Sequence, residues 1–429
     1  MLPYRSMRRD GAATLRFDPP NEAGIEDELS GFQWHGVPTE RGRLSMPFPV
    51  DEAGVPTLTN EFWTAKQRAA HSLHEVSYRA CFKPQLPEFF ISRLTVPGEV
   101  VYDPFMGRGT TMIQAALMGR IPYGCDINPL STALCEPRLT PPSIRDVERA
   151  LGDIDFSDAG ELPEELLVFY HPDTLRQICA LRKYLASREE AGRLTGADRW
   201  VQMVALNRLT GHSPGFFSVY TLPPNQAVSV KAQAKINAKL GQAPPVRDVR
   251  GIILAKSRAL LRDVTQDTRE AMTQASSRRR LVVGRSSETP SIESGSVALA
   301  VTSPPFLDVV NYQTDNWLRC WFRGIDASAV PITQIKRPED WQDFVVKTLT
   351  EVRRTLRRGG HVAFEVGEVR GGALRLEELV IPAGREARLR PIVVVYNSQR
   401  FTKTANCWGV TNNSKGTNTN RIVLFRRDD

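Results

Sequence analysis

The chain lacks any run of eighteen or more apolar residues, which excludes a membrane-spanning helix. It also lacks a Cys-x-x-Cys pair and any Cys/His grouping at zinc spacing. The six cysteines (Cys81, Cys125, Cys135, Cys179, Cys320, Cys407) are scattered, so neither a metal site nor a disulfide framework is expected. The N-terminus has no apolar core of a secretory leader, and the expected compartment is the cytoplasm. His71, His74 and His212 stand in no recognisable catalytic pattern, and no internal repeat or long low-complexity tract occurs.

What is present is an ordinary globular composition, 41% hydrophobic with mean hydropathy -0.30, over 429 residues. That length exceeds one compact core and implies two domains or one with a large insertion. A net charge of +8 and a pI near 9.3 are mild over the whole chain. Their location is more informative: residues 201–262 hold nine basic residues (Arg208, Lys231, Lys235, Lys239, Arg247, Arg250, Lys256, Arg258, Arg262) against Asp248 alone, an excess of 9 minus 1. A polyanionic partner would explain this concentration, and a solvated helical face would show the same charge.

Residues 1–60 read as an irregular arm, and EFWTAKQRAAHSLHEV (61–76) as a helix. EVVYDPFMGRGTTMIQAALMGRIPYGCDINP (99–129) then gives a strand, a glycine turn, a helix and a second strand, the signature of a parallel, doubly wound sheet. The next convincing strand is LVVG (281–284), and the 154 intervening residues far exceed a crossover helix. They read as a mainly helical insert, interrupted by TGHSPGFFSVYTLPPNQAVS (210–229). The sheet resumes with SVALAVTS (296–303), a helix near 340–358 and HVAFEVG (361–367). PIVVVYN (391–397) and NRIVLFR (420–426) form an antiparallel edge hairpin. The expected layout is therefore an arm to 60, a first half at 61–130, a basic insert at 131–280 and a second half at 281–429.

Two stretches carry chemistry. In DPFMGRGTT (103–111), Gly107 and Gly109 let backbone approach a ligand at a helix N-terminus. Met112 stands where a dinucleotide fingerprint wants a third glycine, and no Gly-Lys-Ser/Thr follows, so a pyrophosphate is poorly served. Asp126, closing the second strand, can accept hydrogen bonds from ribose hydroxyls; a strand-capping Asp and an ordinary tight turn are the bland alternatives. In TSPPF (302–306), a strand ends on Ser303, Pro304, Pro305 and Phe306 at the edge where an open parallel sheet keeps its crevice. Prolines donate no N–H, so the Ser303 and Pro304 carbonyls can serve as acceptors for an exocyclic amino group while the Phe306 ring stacks on its heterocycle. A plain strand stop would also use two prolines.

Together DPFMGRGTT and TSPPF resemble the S-adenosylmethionine-dependent DNA amino-methyltransferases, with their DPFxGxGTT and (D/N/S)PP(Y/F) motifs. FKPQLPEFFI (82–91) resembles that family's lysine-proline motif. The resemblance covers most of 78–130 and 281–370. It implies an α/β, doubly wound Rossmann-like methyltransferase sheet, mostly parallel with an antiparallel C-terminal hairpin, plus a mainly helical inserted domain. It implies S-adenosyl-L-methionine as cofactor, held by Lys83, Pro84, Asp103, Pro104, Phe105, Gly107, Gly109, Thr110, Thr111 and Asp126, with Ser303, Pro304, Pro305 and Phe306 catalytic and no metal. Double-stranded DNA is the implied partner, with Lys231, Lys235, Lys239, Arg247 and Arg250 on the insert as contacts, and a cognate restriction endonuclease is a possible second.

In that family a serine in the first tetrad position is more usual for cytosine N4, and Asp or Asn for adenine N6, so the resemblance implies N4; carbon-5 methylation uses a cysteine typically found in a Pro-Cys dipeptide, which this chain lacks. Where the family often has an acid after the third strand, GRSSE (284–288) places Arg285, leaving Glu288 or a backbone group as substitute. Adenine-N6 methylation of DNA, an RNA amino-methyltransferase, a small-molecule methyltransferase and a nucleic-acid-binding protein with a relic catalytic domain are the rival readings. A relic would have a broken glycine loop; a small-molecule enzyme leaves the insert unexplained.

Overall fold

The strands VVYD and VALAVT have no polar face, and all their residues are buried, so they require helices on both sides of the sheet. A computed structural model describes residues 24–45, 54–64, 70–78, 81–221, 227–305, 307, 312–331, 335–369, 374–398 and 419–429. The chain begins with α1 (Ile25–Ser30), a ribbon of β1 (Gln33–Trp34) and β2 (Val37–Pro38), then β3 (Glu40–Leu44) and β4 (Val55–Asn60). α2 (Gln85–Leu94) leads into β5 (Val100–Asp103), α3 (Thr110–Leu117) and β6 (Ile121–Asp126). A helical stretch follows: α4 (Pro129–Leu139), α5 (Ile144–Gly152), α6 (Pro172–Glu190), α7 (Gly196–Leu206), α8 (Val230–Leu240), α9 (Val249–Leu261) and α10 (Gln266–Ser276). β7 (Arg280–Val283), β8 (Val297–Thr302), α11 (Tyr312–Arg323), α12 (Pro338–Thr355) and β9 (Leu356–Val366) come next. A ribbon of β10 (Glu368–Val369) and β11 (Leu374–Arg375), α13 (Glu377–Glu386), β12 (Arg390–Ser398) and β13 (Thr419–Arg426) complete the described chain.

The sheet has nine strands in the order β3-β4-β12-β13-β9-β8-β5-β6-β7. β5 pairs in parallel with β6 on one side and β8 on the other, while β13 runs antiparallel to both β9 and β12. This is the expected doubly wound α/β, Rossmann-like sheet with its antiparallel C-terminal hairpin. The chain winds outward from β5 to β6 and β7, then returns to the other flank with β8. Such a reversal opens a crevice at the carboxyl ends of β5 and β8.

α12 and α13 cover one face, packing on Tyr102, Ala300 and Phe364; α2 covers the other, against Val101, Leu299 and Val301. α3 sits between two cores: Ala115 joins the α2 side, whereas Met112, Ile113 and Ala116 join a large helical cluster containing Trp200, Phe217 and Leu260. The helices between β6 and β7 thus share one apolar core with α3. Capping boxes at Ser143/Asp146 and Thr195/Asp198 start α5 and α7, and Trp200 Nε1 donates to Ser257 Oγ at 3.0 Å, joining α7 to α9.

Two local readings change. Part of the segment read as an irregular arm forms β3 and β4, and β4 lies parallel to β12, pairing Val394 with Thr57 and Asn397 with Asn60. Its partner is more than three hundred residues away, a contact that local patterning does not reveal. Most of the helix expected over 61–76 is also absent among the described residues: Phe62 and Trp63 are buried in irregular backbone and only Ser72–His74 make a 3-10 turn. The fully buried Asn397 holds this segment, accepting from Phe62 N at 2.8 Å and Trp63 N at 3.2 Å and donating to Trp63 O at 3.1 Å. Asn397→Ala leaves those groups buried without partners, and urea denaturation is expected to show a loss of about 2–4 kcal/mol.

Candidate active site

The glycine turn and the proline tetrad leave the sheet on neighbouring strands, and a side-chain hydrogen bond joins them. Thr302 Oγ1, one residue before the tetrad, donates to Asp103 Oδ1 at 2.6 Å, and Phe105 N donates to the same oxygen at 3.0 Å. Thr111 Oγ1 reaches back to the Val301 carbonyl at 3.1 Å. Asp103 is buried, and burial pushes its carboxyl up to about 7 although the Thr302 hydroxyl and Phe105 amide favour the ionised form. Its role is therefore to tie the two loops together beneath the crevice.

The two glycines have different duties. Both are left-handed, with φ of 48° at Gly107 and 78° at Gly109. A Cβ at Gly109 would lie 2.8 Å from Cys135 Cβ, so that position is glycine because α4 packs against it. A Cβ at Gly107 would make only ordinary contact, with Cys81 Sγ at 3.6 Å and the Tyr78 ring at 3.9 Å, so that position is glycine because of its left-handed backbone rather than a clash. Gly107 N donates to Asp126 Oδ2 at 2.9 Å and Asn128 N to Asp126 Oδ1 at 2.8 Å, so the carboxylate braces the loop. Burial raises the Asp126 carboxyl, and those amides oppose the shift. Thr110 and Thr111 open α3; Pro104 is buried, and the Phe105 ring lies 5.6 Å from that of Phe344. Arg108 donates to the Phe82 and Val76 carbonyls, which sets Lys83 and the buried Pro84 against the loop. Burial, then Arg108, lowers the Lys83 ammonium.

On the tetrad side, the Pro305 carbonyl accepts from Trp341 Nε1 at 2.9 Å, anchoring the turn to α12. No described N–H is bonded to the Ser303 or Pro304 carbonyl. The Ser303 hydroxyl bonds to Glu365 on β9, and Asn420 Nδ2 on β13 donates to Glu365 Oε1 at 2.5 Å. Burial pushes the Glu365 carboxyl up to about 7, against both hydrogen bonds. Glu365 is the residue sequence reasoning missed; the available signal was one carboxylate inside the apolar strand HVAFEV. Phe306 lies outside the described residues.

The insert residues divide. Lys231, Lys235 and Lys239 are exposed at four-residue intervals on α8, a helix with no acidic residue. Arg250 is partly committed, donating to the Leu151 carbonyl at 2.9 Å with its guanidinium 5.3 Å from the Phe156 ring. Arg247 is anchored through its backbone, its N–H donating to Thr174 Oγ1 at 2.8 Å. Arg285 and Glu288 are both exposed in the turn after β7. Among the described residues no group of His, Cys, Asp and Glu could hold a metal ion.

The donor set suits a nucleoside carrying a sulfonium side chain: a left-handed glycine turn, a helix N-terminus, and a carboxylate whose remaining lone pairs suit ribose hydroxyls. Residues 45–133 match a family model described as DNA methylase. A Type II methyltransferase, M.MjaII, of Methanocaldococcus jannaschii is 34% identical over 97 residues, 23% of this chain and 18% of that protein. A second, M.MvaI of Kocuria varians, is 34% identical over 111 residues, 25% of this chain and 23% of that one. The chain thus spans about a fifth of the length of the curated relatives it matches. Solved structures align loosely: a geranyl diphosphate methyltransferase in complex with SAM (12% identity, 81% of this chain and 86% of that one, TM-score 0.32), and a putative DNA modification methylase of Thermus thermophilus complexed with S-adenosyl-L-methionine (19%, 32% and 51%, TM-score 0.21). The family model and both curated relatives thus match the part of this chain that bears the glycine loop, and the likeness is of that segment.

Proposed function

We propose that this protein methylates the exocyclic N4 amino group of cytosine in duplex DNA, with the target base extruded from the helix. The observation that carries the reading is the 2.6 Å hydrogen bond from Thr302 to Asp103, because it joins the loop suited to the methyl donor to the turn suited to an amino group. S-adenosyl-L-methionine would lie against Gly107, Asp126, Lys83 and the start of α3, and supplies an electrophilic methyl group. The Ser303 and Pro304 carbonyls accept the amino protons and orient the nitrogen lone pair. Alignment of this kind contributes about 7–11 kcal/mol. Extrusion costs a few kcal/mol, which a grip on the duplex must offset. The α8 lysine face supports the reading of the insert, residues 131–280, as that grip. The first tetrad residue, Ser303, favours cytosine N4 over adenine N6.

Glu365 supplies what the residues around the turn otherwise lack, a destination for the excess proton. Its carboxylate accepts from the Ser303 hydroxyl, so a proton arriving at Ser303 Oγ can pass on to Glu365 as Ser303 releases its own.

Labelled S-adenosylmethionine with mixed-sequence duplex, followed by nucleoside digestion and mass spectrometry, is expected to yield N4-methylcytosine. N6-methyladenine alone would reassign the base, and label on RNA alone would reassign the substrate. Ser303→Ala is expected to reduce transfer by about 10²-fold or more with cofactor affinity little changed. Glu365 works as a carboxylate, so kcat should fall as pH drops below about 7. Glu365→Gln should remove that limb and lower the rate by about 10²–10⁴-fold; an unchanged pH profile would discard the relay. The same burial has a stability consequence. Asp103 and Glu365 both have folded-state values raised above the unfolded ones, so the folded protein holds the extra protons. That contribution is complete below the unfolded carboxyl range and is lost as pH climbs to about 7, so the Tm of Glu365→Gln, which stays neutral, should rise relative to that of the wild type over that interval.

A further inference from the structure

Arg208, at the end of α7, is only partly exposed and has no acidic partner among the described residues. Its Nε donates to the Asn207 carbonyl at 2.8 Å and its Nη2 to Asn207 Oδ1 at 3.1 Å, and its guanidinium lies 4.0 Å from the centre of the Phe216 ring. The charge that bears on it is a second cation, Arg319. A guanidinium has five N–H groups, so donors remain beyond the two engaged by Asn207. Burial, then Arg319, lowers its pKa to about 10, which reports an environment unfavourable to the cation when nothing is bound.

The surroundings fix where those donors stand. Asn207 Oδ1 also accepts from Ser77 N at 3.1 Å, and Asn207 Nδ2 donates to Ser77 O at 2.9 Å. Ser77 O accepts a further bond from Arg319 Nη2 at 3.3 Å, and Arg319 belongs to α11, the helix that follows the tetrad. Ser77 adjoins Tyr78, whose ring lies 3.9 Å from the position a Cβ on Gly107 would take. One amide therefore links the glycine-loop wall, the end of α7 and the helix after the tetrad. Nearby, Glu75 is engaged with Lys256 and Arg262, and Asp315 acts on Arg319. His212, exposed, has its ring 6.0 Å from that of Phe216.

We propose that Arg208, oriented by Asn207 and Phe216 and backed by Arg319, receives a backbone phosphate of the duplex beside the extruded nucleotide. This rests on the DNA methyltransferase reading and assigns it a specific contact distinct from the α8 lysines. The other anion within reach of such a cation is the carboxylate of the cofactor's methionine end. Lys83, beside the glycine loop, is the better placed group for that carboxylate, whereas Arg208 stands on the insert close to the exposed His212.

Duplex binding by the full chain is measured by fluorescence anisotropy as a function of salt, cofactor binding by calorimetry, and Tm by thermal unfolding. Arg208→Gln is expected to weaken duplex binding roughly 10-fold near physiological salt and to reduce the slope of log K against log salt by about one. Cofactor affinity should hold, and Tm should stay level or rise because a desolvated cation without an acidic partner has been removed. Arg208→Lys should keep part of the salt slope. Unchanged duplex affinity and slope would overturn the proposal. So would weakened cofactor binding with duplex binding intact, which identifies the carboxylate as the anion, or a lowered Tm with both affinities reduced, which identifies a structural role. A wild-type protein that neither binds nor methylates any duplex would refute the underlying reading, an outcome distinct from a null effect of the variant.

Discussion

One buried hydrogen bond, from Thr302 to Asp103, sets the geometry of the cleft. Strands β5 and β8 are parallel neighbours only because the chain reverses direction across the sheet, and both strands end at the same edge. Without a side-chain link, two loops springing from adjacent strand ends could splay independently. With Asp103 receiving both Thr302 Oγ1 and Phe105 N, and Thr111 reaching back to Val301, a shift of one loop displaces the other. An in-line transfer between two bound groups depends on that kind of coupling, because errors of about an ångström can lower rates by orders of magnitude.

The same economy appears in Asp126. A carboxylate read as a ribose acceptor also bonds Gly107 N and Asn128 N, so it shapes the loop even before anything is bound. Both roles are compatible, since each carboxylate oxygen has two lone pairs. The three acids Asp103, Asp126 and Glu365 differ in their partners. Asp103 and Asp126 face backbone and hydroxyl groups that hold loops, whereas Glu365 faces the Ser303 hydroxyl at the tetrad itself. Burial raises all three, and only Glu365 is connected to the serine of the tetrad.

How much of this was legible in the sequence follows from the range of each interaction. The strand, glycine turn, helix and second strand at 99–129 are local, and their boundaries in the structure fall within a residue or two of the pattern. The end of β8 was legible because the prolines after Ser303 cannot continue the ladder. β4 was not, since VPTLTN alternates weakly and acquires its strand geometry from β12, far along the chain. Glu365 escaped for a similar reason: its meaning depends on Ser303 and Asn420, both more than fifty residues away. The two glycines looked equivalent in DPFMGRGTT, and only the position of Cys135 separates the glycine required by packing from the one required by its left-handed backbone alone.

The insert shows why charge counting reaches its limit. Nine basic residues in 201–262 looked like one property of the chain, yet the fold assigns them different tasks. Arg258 and Arg262 pair with Glu148 and Glu75. Arg250 rests against Leu151 and Phe156, and the three α8 lysines stay on a solvated face. Arg208 is the one of the nine that is both strongly desolvated and without an acid among the described residues. A solvated lysine keeps its hydration whether or not an anion is near, so it contributes attraction with little geometric demand. A guanidinium already desolvated and held against a ring has lost that hydration in advance, and the anion that restores its hydrogen bonds must arrive in one orientation. Concentrated charge on the insert can draw a polyanion toward the molecule; a desolvated, oriented cation at the junction of loop, insert and α11 can define where along that polyanion the cleft comes to rest.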